Sequence, residues 1–315
     1  IDISILKDLG YDVLLSNRIF DSLLFWKYDI LFSYFYRYSF FAALLAKCFG
    51  KKTYFTGGID SLDSDYASAF NYKIQALFFK LCYWVADSCI IVSQSDLKNI
   101  FKVSSLKKKL SYSEHVINTK LFIADVPKEK IFTSIVWMGD EGNVVRKGVD
   151  KALQIFAELK KIPEFVDYRF VIIGRKGEGE VLVRSIIDKY NLKGSVELKG
   201  EVSEEDKINL LKQSKYYFQL SLYEGFGLAA LEALCANNII IHSGKGGLAN
   251  PIYKEQLLFD IDNDFDSELL KLVNKLACFT PITSYDNLLE YYDIQRRKDD
   301  FEAIIVNGKS NYKLK

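Results

Sequence analysis

The chain has 315 residues, 49% of them hydrophobic and 26% charged, with a formal net charge of +1. That length suits two domains better than one, that composition excludes a disordered chain, and so even a charge balance leaves no electrostatic footprint for nucleic acid. Five scattered cysteines (Cys48, Cys82, Cys89, Cys235, Cys278) without metal-like spacing favour free thiols in a reducing compartment, and two distant histidines, His115 and His242, cannot build a histidine-rich metal site.

No signal-peptide pattern opens the chain at Ile1. Residues 2–9 read as a helix end, and 12–16 and 29–33 as strands. Residues 40–49 form a helix stopped by Gly50, 52–56 a strand, 66–86 a long helix of apolar period, 88–92 a strand ending at Ser93, and 94–102 a polar helix. Such alternation predicts a largely parallel sheet with helices on both faces. Residues 32–49 are also strongly aromatic, but too short for a membrane span and interrupted by Arg37. With the basic cluster Lys98, Lys102, Lys107, Lys108 and Lys109, two readings stand. One is a core helix beside a solvated lysine face; the other is peripheral docking on an anionic inner-leaflet surface.

Residues 118–130, with Pro127 and several charges, read as an interdomain linker. Beyond it, helices are expected at 149–161, 178–190, 203–213 and 228–236, and buried strands at 216–221 and 239–241. Ser203-Glu204-Glu205-Asp206 has the look of a capping box. The tail, 285–307, is helical and mixed in charge. There are no repeats and no low-complexity tract.

Residues 223–233 carry the most information: Tyr-Glu-Gly-Phe-Gly-Leu-Ala-Ala-Leu-Glu-Ala. Two carboxylates, Glu224 and Glu232, flank a glycine turn between the 216–221 strand and an apolar helix. Ligands of open α/β sheets sit at that edge, beyond the carboxyl ends of the strands. The helix start offers unpaired N–H groups suited to a diphosphate, and Gly225 and Gly227 let the backbone approach it. Glu232, about one turn into the helix, is placed to accept from a ribose hydroxyl, and Glu224 to reach a sugar beyond the diphosphate. The plain alternative is two acids favouring a helix dipole.

Glu-Gly-Phe-Gly-Leu at 224–228, followed by Leu-Glu-Ala-Leu at 231–234, resembles the donor motif of the family 4 retaining glycosyltransferases of the GT-B fold. The resemblance continues in order over roughly residues 87–250. Ile135-Val136-Trp137-Met138-Gly139 resembles the strand that opens the donor domain, and Arg146-Lys147-Gly148-Val149-Asp150 the Lys-Gly helix start. Phe170-Val171-Ile172-Ile173-Gly174 resembles the next strand and its glycine turn. Residues 196–202 resemble the strand before the base-contacting loop, and Gly246-Gly247-Leu248 the glycine pair after the final strand.

The resemblance implies two Rossmann-like domains facing across a cleft. The acceptor-binding domain would span 1–125, with the helix of 286–315 packing back on it, and the donor domain 131–285. The family's strand and glycine-rich loop ahead of the first helix are missing here, so the N-terminal domain is expected to be trimmed or reduced. Lys147 would neutralise the departing diphosphate beside Phe226, Gly227 and Leu228. Glu232 would hold the ribose, Glu224 the donor sugar, and the loop at Gly200 and Val202 would lie near the base. Where the family usually carries an arginine after the first strand's glycine, this chain has Asp140. Arg146 or Arg175 is the candidate replacement, and Mg²⁺ at Asp140 a further option, though no metal is expected to be required. The acceptor loop, Gly57-Gly58-Ile59-Asp60, lacks the family's histidine; Asp60 stands as a hydroxyl partner. Asp63-Ser64-Asp65 and Asp262-Asn263-Asp264 fit an Asp-any-Asp metal pattern but read as loop and cap residues.

The expected activity is transfer, with retention of configuration, of a sugar (hexosyl type) from a nucleoside-diphosphate sugar. The acceptor would be a glycan or a lipid-linked molecule, in cell-surface polysaccharide or lipopolysaccharide synthesis. The enzyme would be cytoplasmic, or peripheral on the cytoplasmic membrane face. A nucleotide-sugar epimerase and a non-catalytic GT-B partner chain remain alternatives.

Overall fold

The computed structural model describes residues 1–57, 59, 62–64, 66–123, 126–279 and 286–308. The chain divides into two units, residues 1–117 with 292–315, and residues 118–291. The division thus falls before the expected linker at 118–130 and beyond the expected domain end at 285. The short helical turn Thr119–Leu121 groups with the second unit.

The first unit runs α1 (Asp2–Asp8), α2 (Ile19–Ser22), β1 (Ile30–Ser33), α3 (Tyr36–Cys48), β2 (Lys52–Thr56), α4 (Ala69–Val85), β3 (Ser88–Ile91), α5 (Gln94–Val103) and β4 (Leu110–Tyr112). Its four strands are parallel and lie in chain order. Strand side chains alternate between faces. Phe55, Cys89 and Ile91 pack with Tyr36, Phe40, Phe79 and Cys82 of α3 and α4. Tyr54 and Ile90 pack on the other face with Ile5 of α1 and Phe301, Ile304 and Ile305 from the chain's end. A sheet covered on both faces needs strands apolar along their whole length, which is why Cys-Ile-Ile runs unbroken through β3. Ser68 and Ser93 start α4 and α5 by accepting from the backbone N–H groups of Asn71 and Asp96.

The second unit runs β5 (Glu129–Ile135), α6 (Glu141–Arg146), α7 (Val149–Leu159), β6 (Arg169–Ile173), α8 (Gly179–Lys189), β7 (Val196–Gly200), α9 (Glu204–Gln213), β8 (Ser214–Gln219), α10 (Leu228–Cys235), β9 (Ile239–His242), β10 (Leu257–Leu258), α11 (Phe265–Cys278) and α12 (Asp286–Tyr291). All six strands are parallel, in the order β10-β9-β8-β5-β6-β7. The chain winds outward from β5 through β6 to β7, returns to β8 on the other side of β5, and winds outward again. This is the doubly wound order, and its winding reverses between β5 and β8. Phe132 of β5 stacks on Tyr216 and Phe218 of β8, ring centroids 4.6 and 5.1 Å apart, so that join is packed with aromatic rings.

From Tyr292 the chain belongs to the first unit again. There α13 (Ile294–Phe301) and a π-helical turn, Glu302–Val306, cover the sheet. Arg297 is fully buried. Its guanidinium forks onto both carboxylate oxygens of Asp2, at 2.6 and 2.8 Å, and donates to the carbonyls of Ser113 and Glu114.

Several expectations are corrected. Residues 12–16 form no strand; Leu14 and Leu15 are exposed, and an apolar run with no neighbouring strand to pair with stays irregular. The strand expected at 135–139 lies earlier, at 129–135, although Val136 and Met138 still donate to the carbonyls of Ile173 and Arg175. The strand expected at 216–221 is 214–219, because the chain from Leu220 turns toward Arg146 and Gly148. The expected elements do not include α2, β4, α6, β10 and α11: the strands are too short to show a period, and α2 and α6 have only four and six residues. In α11 the apolar spacing is present in the sequence; Asp264 starts it by accepting from Ser267 N–H at 2.9 Å.

Candidate active site at the switch point of the second sheet

The winding reverses between β5 and β8, and the loops 136–140 and 220–227 emerge beyond their carboxyl ends, the edge at which doubly wound sheets bind ligands. The turn from α6 into α7 joins them there. Gly148 takes φ +68°, and a Cβ on it would stand 2.0 Å from the carbonyl oxygen of Leu220. Only glycine permits both the left-handed backbone and that approach. The contact is fastened by Leu222 N–H donating to the Arg146 carbonyl at 2.8 Å.

The docking sets Lys147 against Glu224. Lys147 Nζ lies 2.7 Å from Glu224 Oε2, both side chains being largely shielded from solvent. The same oxygen accepts from Gln219 Nε2 and Ser221 Oγ, each at 3.1 Å. Gln219 is held in turn: Ile135 N–H donates to the Tyr217 hydroxyl, which donates to Gln219 Oε1. Glu224 is thus fixed through Oε2 by three donors, while no hydrogen bond to its Oε1 is found among the described residues. A carboxylate so anchored presents its second oxygen as an acceptor for a hydroxyl. Its backbone is clasped from the far side: Gly247 N–H donates to the Glu224 carbonyl at 2.5 Å, and a Cβ on Gly246 would stand 2.2 Å from that carbonyl oxygen.

Gly227, at φ +87°, starts α10; Gly225 lies outside the left-handed region, and Phe226 is buried against the Gly247 backbone. Leu228 is the first helical residue and Gly227 its N-cap, so the amides of 227 and 228 sit at a helix start, where the first N–H groups have no intrahelical partner. Glu232, one turn in, pairs with Lys207 of α9, whose Nζ is 2.9 Å from each of its oxygens and 2.8 Å from Glu204. Burial pushes the Glu232 carboxyl up, against the opposing pull of Lys207. Burial lowers the Lys207 ammonium, but Glu204 and Glu232 outweigh it and hold it raised. Burial, and further down the charges of both Glu232 and Glu224, raise the Tyr217 hydroxyl well above its ordinary range; the two carboxylates act on one buried group.

The remaining candidates fall in different places. Arg146 fills its fork with Asn143 Oδ1, at 2.7 and 3.2 Å, and Arg175 is exposed. Asp140 caps α6, accepting from Asn143 N–H at 2.6 Å. Gly200 ends β7, two strands away from β5, at φ +77°, and Val202 packs against the buried cluster of Ile131, Val171, Ile173 and Leu210. Gly57 lies in the first unit, at the carboxyl end of β2 beside Tyr34; Gly58 and Asp60 lie outside the described residues, as does Asp65. Asp63 accepts from Tyr66 N–H and Asn99 Nδ2, and Asp262 pairs with Lys245. Among the described residues, no group of three or more His, Cys, Asp or Glu side chains is arranged to hold a metal ion. Sequence reasoning does not single out Lys207, Gln219 or Ser221. The polar Gln219 and Ser221 at the end of a buried aromatic strand are a readable signal; Lys207 has none, since its partner is 25 residues away.

Residues 142–276 match the family described as glycosyl transferases group 1. Over 163 residues the chain is 32% identical to a GDP-mannose:cellobiosyl-diphosphopolyprenol alpha-mannosyltransferase of Xanthomonas oryzae, covering 45% of this chain and 40% of that protein. Over 105 residues it is 30% identical to one of the subunits of the human phosphatidylinositol N-acetylglucosaminyltransferase, covering 33% of this chain and 21% of that one. The chain therefore spans less than half the length of these two relatives. Among solved structures, sucrose-phosphate synthase from Thermosynechococcus elongatus superposes with a TM-score of 0.65 at 20% identity, covering 89% of this chain and 72% of the other. Anabaena HepE in complex with UDP-glucose superposes with a TM-score of 0.71 at 12% identity, covering 92% and 80%. The fold is that of the GT-B glycosyltransferases.

Proposed function

Because residues 142–276 match the group 1 glycosyl transferases, we propose that this chain is a retaining glycosyltransferase that takes its sugar from a nucleoside-diphosphate donor bound by the second unit. The observation that carries this reading is the Lys147–Glu224 pair at the switch point, anchored by Gln219 and Ser221. A lone acid at a helix start would not need three donors on one oxygen.

In this reading the helix-start amides of 227 and 228 and the Lys147 ammonium hold the diphosphate. As the bond from the anomeric carbon to the diphosphate oxygen breaks, negative charge builds on the leaving group, and a fixed cation stabilises that state. Lys147 moves from Glu224 toward the phosphate, or is shared between them. Glu224 Oε1 accepts from a hydroxyl of the donor sugar, and Glu232 from the ribose. The acceptor hydroxyl attacks on the face the diphosphate leaves, its proton passing to the departing phosphate oxygen, so configuration is retained. No metal is assigned a role. Gly57 and the residues after it would serve the acceptor.

The relatives named for polyprenol-diphosphate and phosphatidylinositol acceptors support a lipid-linked acceptor, and with it a place in cell-surface polysaccharide or lipopolysaccharide assembly. Cys48, Cys82, Cys89 and Cys235 are free thiols, in keeping with a cytoplasmic site of action.

A thermal-shift panel of nucleoside diphosphates and their sugars tests the reading, since a ligand of the native state stabilises by mass action. One base is expected to raise the melting temperature, and Lys147→Ala to abolish the shift. Failure of every nucleotide to bind favours a non-catalytic partner chain. Donor consumed without an acceptor, with a new sugar epimer formed, favours an epimerase.

A further inference from the structure

We propose that the outer face of α3 and α4 in the first unit docks on an anionic lipid bilayer. The two helices pack side by side on one face of the first sheet: Phe40 meets Phe78 edge-on at 6.1 Å, and the Cys82 thiol donates to the Tyr36 carbonyl. Their opposite sides therefore point the same way, away from the sheet.

On α4 the exposed positions Phe70, Lys73, Leu77, Lys80 and Trp84 recur at intervals of three and four, which makes a single stripe along one side of the helix. Apolar and basic residues alternate along it, and the three apolar ones are 55–72% exposed. On α3 the exposed Arg37, Tyr38 and Phe41 repeat the pattern, Tyr38 and Phe41 being 63% and 67% exposed. A protein that keeps to water hides rings of this size or scatters them singly.

Charge selects the partner. Neither helix contains an aspartate or a glutamate. Lys47 is taken by Asp87, but Arg37, Lys73 and Lys80 pair with no acid among the described residues. At the far end of α4, Lys109 donates to the Trp84 carbonyl, its ammonium 5.9 Å from the centre of the Tyr83 ring. An acid-free surface of rings interleaved with cations fits the headgroup region of an anionic membrane, where aromatic rings settle at the apolar boundary and cations meet phosphates. Among the described residues no helix is long and apolar enough to cross a membrane, so the face lies on the bilayer rather than through it. This reassigns the aromatic run of 32–49: Phe40 goes to the core and only Tyr38 and Phe41 to the surface, while the basic partners are Lys73 and Lys80 rather than the cluster around Lys98 and Lys102.

The proposal does not depend on the reaction assigned to the second unit. The full chain is floated with phosphatidylcholine vesicles, with and without phosphatidylglycerol, at low and high salt. Binding is expected only to the anionic vesicles and to weaken with salt. The pair Lys73→Glu and Lys80→Glu, at exposed sites that leave the circular dichroism and melting temperature unchanged, is expected to lower the vesicle partition constant by roughly tenfold or more. Phe41→Ser with Trp84→Ser is expected to lower it at low salt too. No binding, equal binding to neutral vesicles, or binding untouched by both variants would overturn the proposal. So would light scattering that shows a dimer broken by Phe41→Ser, since the face would then meet a second copy of the chain.

Discussion

Lys147 is the residue on which the proposed chemistry turns, and its value is measurable. Lys147→Ala and Glu232→Ala are each expected to cost about 2–4 kcal/mol in kcat/KM, the scale for losing one preorganised charged contact. Wild-type rates in both would remove the site assignment. Lys207 makes a sharper prediction, because it is legible only in three dimensions. Removing it in Lys207→Met leaves the Glu232 carboxylate buried without a cation, so donor KM should rise by the equivalent of roughly 1–3 kcal/mol while Lys207→Arg restores most of it. A loss confined to melting temperature, with KM unchanged, would show that the lysine only tethers α9 to α10. Gly148→Ala should destabilise the fold by more than about 1 kcal/mol, since the new methyl meets the Leu220 carbonyl in a backbone conformation alanine avoids.

At the scale of elements, the first unit is closed by a contact spanning nearly the whole chain. Arg297 of α13 grips Asp2 of α1, and Tyr34 donates to the same carboxylate at 2.7 Å. Burial raises the Asp2 carboxyl, but the hydrogen bonds and charge of Arg297 outweigh it and hold it below its usual range. Arg297→Ala strands a buried carboxylate and should destabilise the first unit by about 3–5 kcal/mol in chemical denaturation. Replacing Asp2 as well, by Asn, should recover part of the loss, because the stranded charge goes with it. If Arg297→Ala unfolds at the wild-type midpoint, α13 is not holding α1 to the sheet.

For the whole molecule, each unit shields a histidine from water: His242 is buried and His115 half-buried. Burial, helped by the Arg297 charge, lowers His115 to about 4; burial, helped by Lys275 against the hydrogen bond with the Tyr253 carbonyl, lowers His242 to about 4. The unfolded chain takes up these protons near pH 6.5, so in the window between about 6.5 and 4 it binds more protons than the native state. Stability from this source is complete above pH 6.5 and lost as pH falls toward 4, on the order of 1–3 kcal/mol for each histidine. Melting curves over that window should fall on acidification, and His242→Gln should flatten part of the slope. A flat profile would mean that neither ring is held neutral.

The order of motifs along the chain carried the resemblance that the match of residues 142–276 to the glycosyl transferases group 1 bears out, and with it the two parallel α/β folds, because each motif is local: a strand, a glycine turn and a helix start are written in adjacent residues and need no distant partner. Residues Lys52–Thr56 and Ser88–Ile91 fell within a residue of where their apolar runs placed them, since β-branched and aromatic runs beside turn residues have few other uses. The structure alone decided what is long-range. It paired Lys207 with Glu232 and Lys147 with Glu224, aimed Gly246 at the Glu224 backbone, and made Asp140 a helix cap. It also left residues 12–16 without a sheet to join, and turned Phe40 inward while Phe41 faced out. A side chain's partner depends on where the sheet's winding reverses and which helix lies next to which, and that geometry exists only once the chain has packed.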